Sequence, residues 1–186
     1  SLSTDCQWTL YAADTVGNRD IYLQSVTGQK PINLTEDSLV NDDEPALSPD
    51  GQQIAFRSAR EGGGIFVMGR TGENARKVID RGYNPAWSPD GLQLAFTQTP
   101  TELRPANYEG QSDLWVVNVS GGTPKLLYEK DAALPQWSPH NQRIAFNQRF
   151  AGKAQSAIVT IPASGGADVY VTSGAGMNCS RGSGRT

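Results

Sequence analysis

The 186-residue chain is 37% hydrophobic and 19% charged, with 20 Gly and 11 Pro, a balance too apolar for a disordered chain and too interrupted for long helices. Its formal net charge of −3 comes from 16 basic and 19 acidic residues mixed along the sequence, without the basic excess expected of a nucleic-acid binder. Nothing approaches the roughly 18 continuous apolar residues of a helical membrane span.

The first element is the segment Leu2-Ser-Thr-Asp-Cys-Gln-Trp-Thr-Leu-Tyr11. Its meaning comes from three later segments: Pro45-Ala-Leu-Ser-Pro-Asp-Gly-Gln-Gln-Ile-Ala-Phe56, Pro85-Ala-Trp-Ser-Pro-Asp-Gly-Leu-Gln-Leu-Ala-Phe96 and Pro135-Gln-Trp-Ser-Pro-His-Asn-Gln-Arg-Ile-Ala-Phe146. The equivalent serines Ser3, Ser48, Ser88 and Ser138 are 45, 40 and 50 residues apart. Downstream in each unit comes an apolar run, Ile21–Leu23, Ile65–Met68, Leu114–Val117 or Ile158–Ile161. A glycine turn follows (Thr27-Gly28, Thr71-Gly72, Ser120-Gly121-Gly122 or Ser164-Gly165-Gly166), then a second β-prone run: Pro31–Leu34, Arg76–Ile79, Lys125–Tyr128 or Val169–Thr172. Each unit therefore reads as strand, tight turn, strand, loop, strand, tight turn, strand.

A period of 40 to 50 residues with strand-like units predicts an all-β fold, a β-propeller of four-stranded antiparallel blades with four repeats in this chain, as a partial or small ring. The predicted blades cover about 1–36, 37–79, 80–128 and 129–172. Residues 173–186 are either a tail or the start of a degenerate further blade. In Ser-Pro-Asp-Gly, Pro fixes φ, Asp can bond its own backbone and Gly accepts positive φ. The third strand is apolar on consecutive residues, which predicts burial on both faces between neighbouring blades. A lone blade leaves two apolar faces in water; stacking blades about an axis covers them.

The string Trp-Ser-Pro-Asp-Gly-x-x-(Ile/Leu)-Ala-Phe, followed by an apolar run and a glycine turn, resembles the TolB-like (WD-repeat-like) bacterial β-propeller repeats, and does so four times between residues 2 and 172. The first copy departs from it at Thr4 and Cys6, and the fourth at His140 and Asn141. The resemblance implies a ring that is typically six-bladed and a periplasmic or extracellular module that docks protein partners. Four repeats then admit three readings: a segment of a longer propeller, a four-bladed ring, or two chains completing a larger ring as a homodimer.

Antiparallel order puts the long, variable second-to-third-strand loops and the blade-to-blade connections on one rim, where a rigid scaffold presents binding residues. On that rim the candidate binding residues are Arg19, Asp20, Asp43, Glu44, Arg60, Tyr83, Glu102, Arg104, Tyr108, Glu109 and Arg149. Arg104 and Tyr108 stand in the longest insertion, and Tyr and Arg offer area and hydrogen bonds from one side chain. Asp37, Asp42, Asp43 and Glu44 supply hard oxygens for Ca²⁺, but they lack alternating ligand spacing and read as solvated loop charge. No metal or cofactor is expected.

Catalytic residues are not predicted. The single histidine, His140, replaces Asp in a turn, and there is no nucleophile elbow, phosphate loop or zinc-ligand spacing. Carboxylates converging across the ring, such as Asp43 with Glu102, leave a carbohydrate-active propeller as the weakest reading. Cys6 and Cys179 read either as two unrelated thiols or as a disulfide joining the ends of a ring in an oxidising compartment. The expected function is a non-catalytic scaffold for a protein or peptide partner, alternatively the propeller segment of a larger bacterial peptidase-associated or kinase-associated protein.

Overall fold

The structure, a computed structural model, describes residues 1–3, 5–14, 17–99, 112–149 and 156–172. They form four antiparallel sheets. The first holds β1 (Trp8–Asp14), β2 (Arg19–Ser25) and β3 (Ile32–Asn33). The second holds β4 (Asp42–Leu47), β5 (Gln53–Ser58), β6 (Gly64–Gly69) and β7 (Arg76–Ile79), with a 3-10 turn at Arg60–Gly62. The third holds β8 (Tyr83–Trp87), β9 (Gln93–Thr97), β10 (Leu114–Asn118) and β11 (Lys125–Tyr128); the fourth holds β12 (Ala132–Trp137), β13 (Arg143–Arg149), β14 (Ser156–Pro162) and β15 (Val169–Tyr170). Strand order within every sheet follows the chain, so these are propeller blades. The first sheet has three strands rather than the expected four, and the segment before its first turn adds an isolated bridge between Leu2 and Thr9.

The repeated turn explains why each sheet starts as it does. Ser48 Oγ donates to Asp50 Oδ1 at 2.6 Å and accepts the Gln53 N–H at 2.9 Å, while Asp50 Oδ1 accepts the Gln52 N–H at 3.0 Å. Ser88 and Asp90 repeat the pattern with Leu92 and Gln93, and Ser3 and Asp5 repeat it with Gln7 and Trp8. The last turn residue needs the left-handed region, which Gly51 and Gly91 adopt freely at φ 71° and 72°. Cys6 and Asn141 reach it at φ 56° and 58°. In the fourth sheet, where His140 cannot accept as Asp does, Ser138 Oγ takes both N–H groups, Gln142 at 3.3 Å and Arg143 at 3.0 Å. The sequence departs from the repeat there; the turn does not.

The innermost strands β4, β8 and β12 run side by side. Trp87 Nε1 donates to the Ala46 carbonyl at 2.9 Å, and Trp137 Nε1 to the Ala86 carbonyl at 3.1 Å. Each inner strand carries a bulge, at Glu44, Asn84 and Leu134, all at φ 52° and all directly before proline. Three apolar clusters fill the spaces between the first and second, second and third, and third and fourth sheets. On β6, Ile65, Phe66, Val67 and Met68 are all buried, as the consecutive apolar run predicts. On β14 burial alternates instead, and Ile158 is 42% exposed, because its face has no neighbouring sheet among the described residues.

Candidate functional site

The up-and-down order brings the end of β1, β5, β9 and β13, the start of β2, β6, β10 and β14, and the connections between sheets to one rim. At the joint between the first and second sheets, Arg19 braces two elements. Its Nε and Nη2 donate to the two oxygens of Asp14 at 2.9 and 3.1 Å, its Nη1 donates to Asp43 Oδ2 at 2.7 Å, and its backbone N–H donates to Asn41 Oδ1. The hydrogen bond from Arg19 holds the Asp14 carboxyl below the usual range, and the two carboxylates raise the guanidinium above its own. Asp20 is buried and accepts from Asn18, Asn33 and Thr35, so it ties the ends of β2 and β3 together from within.

Asp42 is fully buried, with Oδ2 at 2.7 Å from Arg60 Nη2 and Oδ1 without a hydrogen-bond partner. It stands two residues before the bulge, where the third sheet has Gly82 and the fourth Ala132. At Gly82 an added Cβ would lie 2.6 Å from the Phe96 ring and 2.8 Å from Ile65 Cδ1, so this position faces the apolar joint between sheets. Arg60, over the Phe56 ring at 5.5 Å, is what lets a carboxylate occupy it. Asp43 Oδ1 accepts the Glu44 N–H at 2.8 Å, and Glu44 Oε2 crosses to the third sheet to accept the Asn84 N–H at 2.6 Å. The acidic run Asp42, Asp43 and Glu44 is thus distributed to three separate partners, while Asp37 lines a different hollow with Ser38, Val40 and Arg60. Among the described residues no three His, Cys, Asp or Glu side chains come together to hold a metal ion.

Between the second and third sheets the rim opens into a cleft of about 280 Å³ lined by Arg57, Asp80, Arg81, Tyr83, Gln98 and the glycines Gly62 to Gly64. The Arg57 guanidinium lies 4.3 Å from the centre of the Tyr83 ring and its Nη2 donates to Tyr83 Oη at 3.1 Å. Arg81 lies over the Trp115 ring at 5.1 Å. A run of glycines at φ 84°, 95° and 137° forms the opposite wall, and Gly64 is obligatory because a Cβ there would meet the Ile79 carbonyl at 2.1 Å.

Of the sequence candidates, Arg19, Asp20, Asp43, Glu44 and Arg60 join one connected set at the first joint, and Tyr83 belongs to the cleft. Glu102, Arg104, Tyr108 and Glu109 lie outside the described residues, as does the side chain of Arg149. Cys6 is exposed in the turn on the other rim without a disulfide among the described residues; Cys179 lies outside them. Arg57, Arg81 and Gln98 are not among the sequence candidates, although Arg81 and Gln98 stand in segments that the sequence places on this rim. Arg57 stands in β5 at the register position that Thr97 holds in β9 and Asn147 in β13, and that break in the repeat is its signal in the sequence.

Comparison with solved structures identifies the fold. A TolB-type protein from Agrobacterium tumefaciens matches with TM-score 0.76 and 21% identity, over 91% of this chain and 62% of the other. TolB from Acinetobacter baumannii matches with TM-score 0.73 and 19% identity, over 92% and 42%. An oligogalacturonate lyase in complex with manganese matches with TM-score 0.68 and 18% identity, over 92% and 50%. The chain therefore shares the TolB-like propeller fold and spans less than two thirds of the length of these proteins. No family model matches the sequence, and no curated protein matches it significantly. Among the described residues no helix is long and apolar enough to cross a membrane.

Proposed function

We propose that this chain is a binding and scaffolding propeller that holds a protein or peptide partner on its loop-rich rim, in the bacterial periplasm, without catalysis of its own. One observation supports it most directly: the rim is braced at the first joint by ion pairs within the chain and opens at the second joint into a cleft of about 280 Å³ with arginine, tyrosine and glutamine on its walls. Rigid support beside accessible hydrogen-bonding side chains is the arrangement of a recognition surface. Photo-crosslinkers placed at Asp80 and Glu129 on this rim, and at Gln52 and Gln142 on the opposite one, test the reading in periplasmic extract. Adducts are expected from the first pair; equal yields from both rims, or yields confined to the second pair, overturn it.

A second reading, a propeller segment of a larger bacterial enzyme or sensor, is favoured by the fourth sheet. Ile158 occupies the register position of Ile65 and Leu114, which are fully buried by the next sheet. With Val169 and Val171, 52% and 61% exposed, it presents a face built for a further blade. Two solved relatives of this fold, the oligogalacturonate lyase and a prolyl endopeptidase, are longer enzymes of which the chain spans 50% and 28%. In the isolated chain the same face suits a second copy, making a homodimer.

A further inference from the structure

We propose that the cleft between the second and third sheets binds the carboxylate of an acidic peptide segment, a ligand class that rests on the binding role proposed above. The cleft brings together two guanidiniums that have no acidic partner among the described residues. Among the described residues the ion pairs are Arg19 with Asp14 and Asp43, Arg60 with Asp42, and Lys77 with Glu61. Arg57 and Arg81 take part in none of them, yet both line one cleft in a chain whose net charge is negative.

Each of the two guanidiniums is held by an aromatic ring rather than by an acid: Arg57 by the Tyr83 face and hydroxyl, Arg81 by Trp115. Stacking fixes a guanidinium while using few of its five N–H donors, which stay available for a planar, two-oxygen acceptor. With Asp80 on the same wall, the described lining of the cleft carries one net positive charge, which matches a single carboxylate better than a phosphate dianion. Gln98 adds a neutral donor and acceptor for peptide backbone. The glycine wall, Gly62 to Gly64, lets a backbone approach without side-chain obstruction. A volume of about 280 Å³ admits an acidic side chain with its flanking backbone, not a folded domain.

The test uses the full chain and fluorescein-labelled Gly/Ser decapeptides carrying two central Glu residues, or Gln in their place. Fluorescence anisotropy is expected to show the Glu peptide binding at least tenfold more tightly than its Gln counterpart, with the difference closing as salt rises. Arg81→Gln is expected to weaken the Glu peptide about tenfold and to leave the Gln peptide unchanged. Arg81→Glu should reverse the preference toward a Lys-bearing peptide, a gain that misfolding cannot produce. Equal binding of Glu and Gln peptides, insensitivity to both Arg81 variants, or preferential displacement of the Glu peptide by an oligogalacturonate or a phosphoserine peptide overturns the carboxylate-peptide assignment. Such a result leaves the binding role of the rim standing as long as crosslinks at Asp80 and Glu129 persist; loss of those crosslinks as well removes both.

Discussion

Ser3, Ser48 and Ser88 show how one hydroxyl organises a whole turn: it donates to a carboxylate two residues on and accepts an amide five residues on. The hydrogen bond from serine is the main reason the Asp5, Asp50 and Asp90 carboxyls sit below their usual range. A folded-state pKa below the unfolded one stabilises the fold above about pH 4, and that contribution is lost as pH falls through the folded value. Ser88→Ala is therefore expected to lower the unfolding free energy by about 1–2 kcal/mol at pH 7, with the deficit narrowing as the solution is acidified below about pH 3. Urea titrations of both proteins at the two pH values check it; a deficit of constant size says that the carboxylate is not its cause. The turn was legible in Ser-Pro-Asp-Gly, whose residues are chosen by backbone geometry. That Cys6 would tolerate φ 56° was not, because a thiol carries no preference for that region.

At the scale of strands, the sheets are joined by groups that the repeat encodes but does not announce. Trp87 and Trp137 each donate an indole N–H to the inner strand of the preceding sheet, whereas the second sheet has Leu47 at that place. Trp87→Phe keeps the ring and removes the donor, so it should cost about 1 kcal/mol in a chemical unfolding experiment; a variant as stable as the parent shows that water replaces the bond at no cost. Arg60→Leu addresses the first joint. It leaves the buried Asp42 carboxylate without its cation and is expected to cost about 3 kcal/mol, with an intact far-UV spectrum and a lower denaturant midpoint. The strands themselves were readable, since apolar runs and glycine turns are local signals. The joints were not: Asp42 looked like one of four solvated loop acids, and only the neighbouring Phe56 and Arg60, supplied from another strand and the following turn, make it a buried ion. Arg57 was missed for the same reason, since its partner Tyr83 comes from the next sheet.

Across the whole molecule the two end faces are not equivalent. On the first sheet, the outward positions that correspond to Leu94, Phe96, Trp115 and Val117 are Thr9, Tyr11, Tyr22 and Gln24. The two tyrosine rings stack at 5.7 Å, with Tyr11 Oη bonded to Gln24 and Tyr22 Oη to Asn33. That face keeps its aromatic bulk and adds polar handles, as terminal repeats do. The fourth sheet instead keeps Ala145 and Ile158 at the places where Ala55 and Ile65 are buried, and adds Val169 and Val171. Uncovered apolar surface of this kind drives association at about 25 cal/mol per Å² removed from water, so the isolated chain should pair through its fourth sheet. Sedimentation equilibrium is expected to give an average mass that climbs with concentration, and Ile158→Asp to hold the chain at the single-chain mass with its spectrum unchanged. A parent chain that stays single at every concentration denies the fourth sheet this role. Association that survives Ile158→Asp but fails with Tyr22→Lys moves the contact to the first sheet, and the polar handles there are then part of an interface rather than a cap.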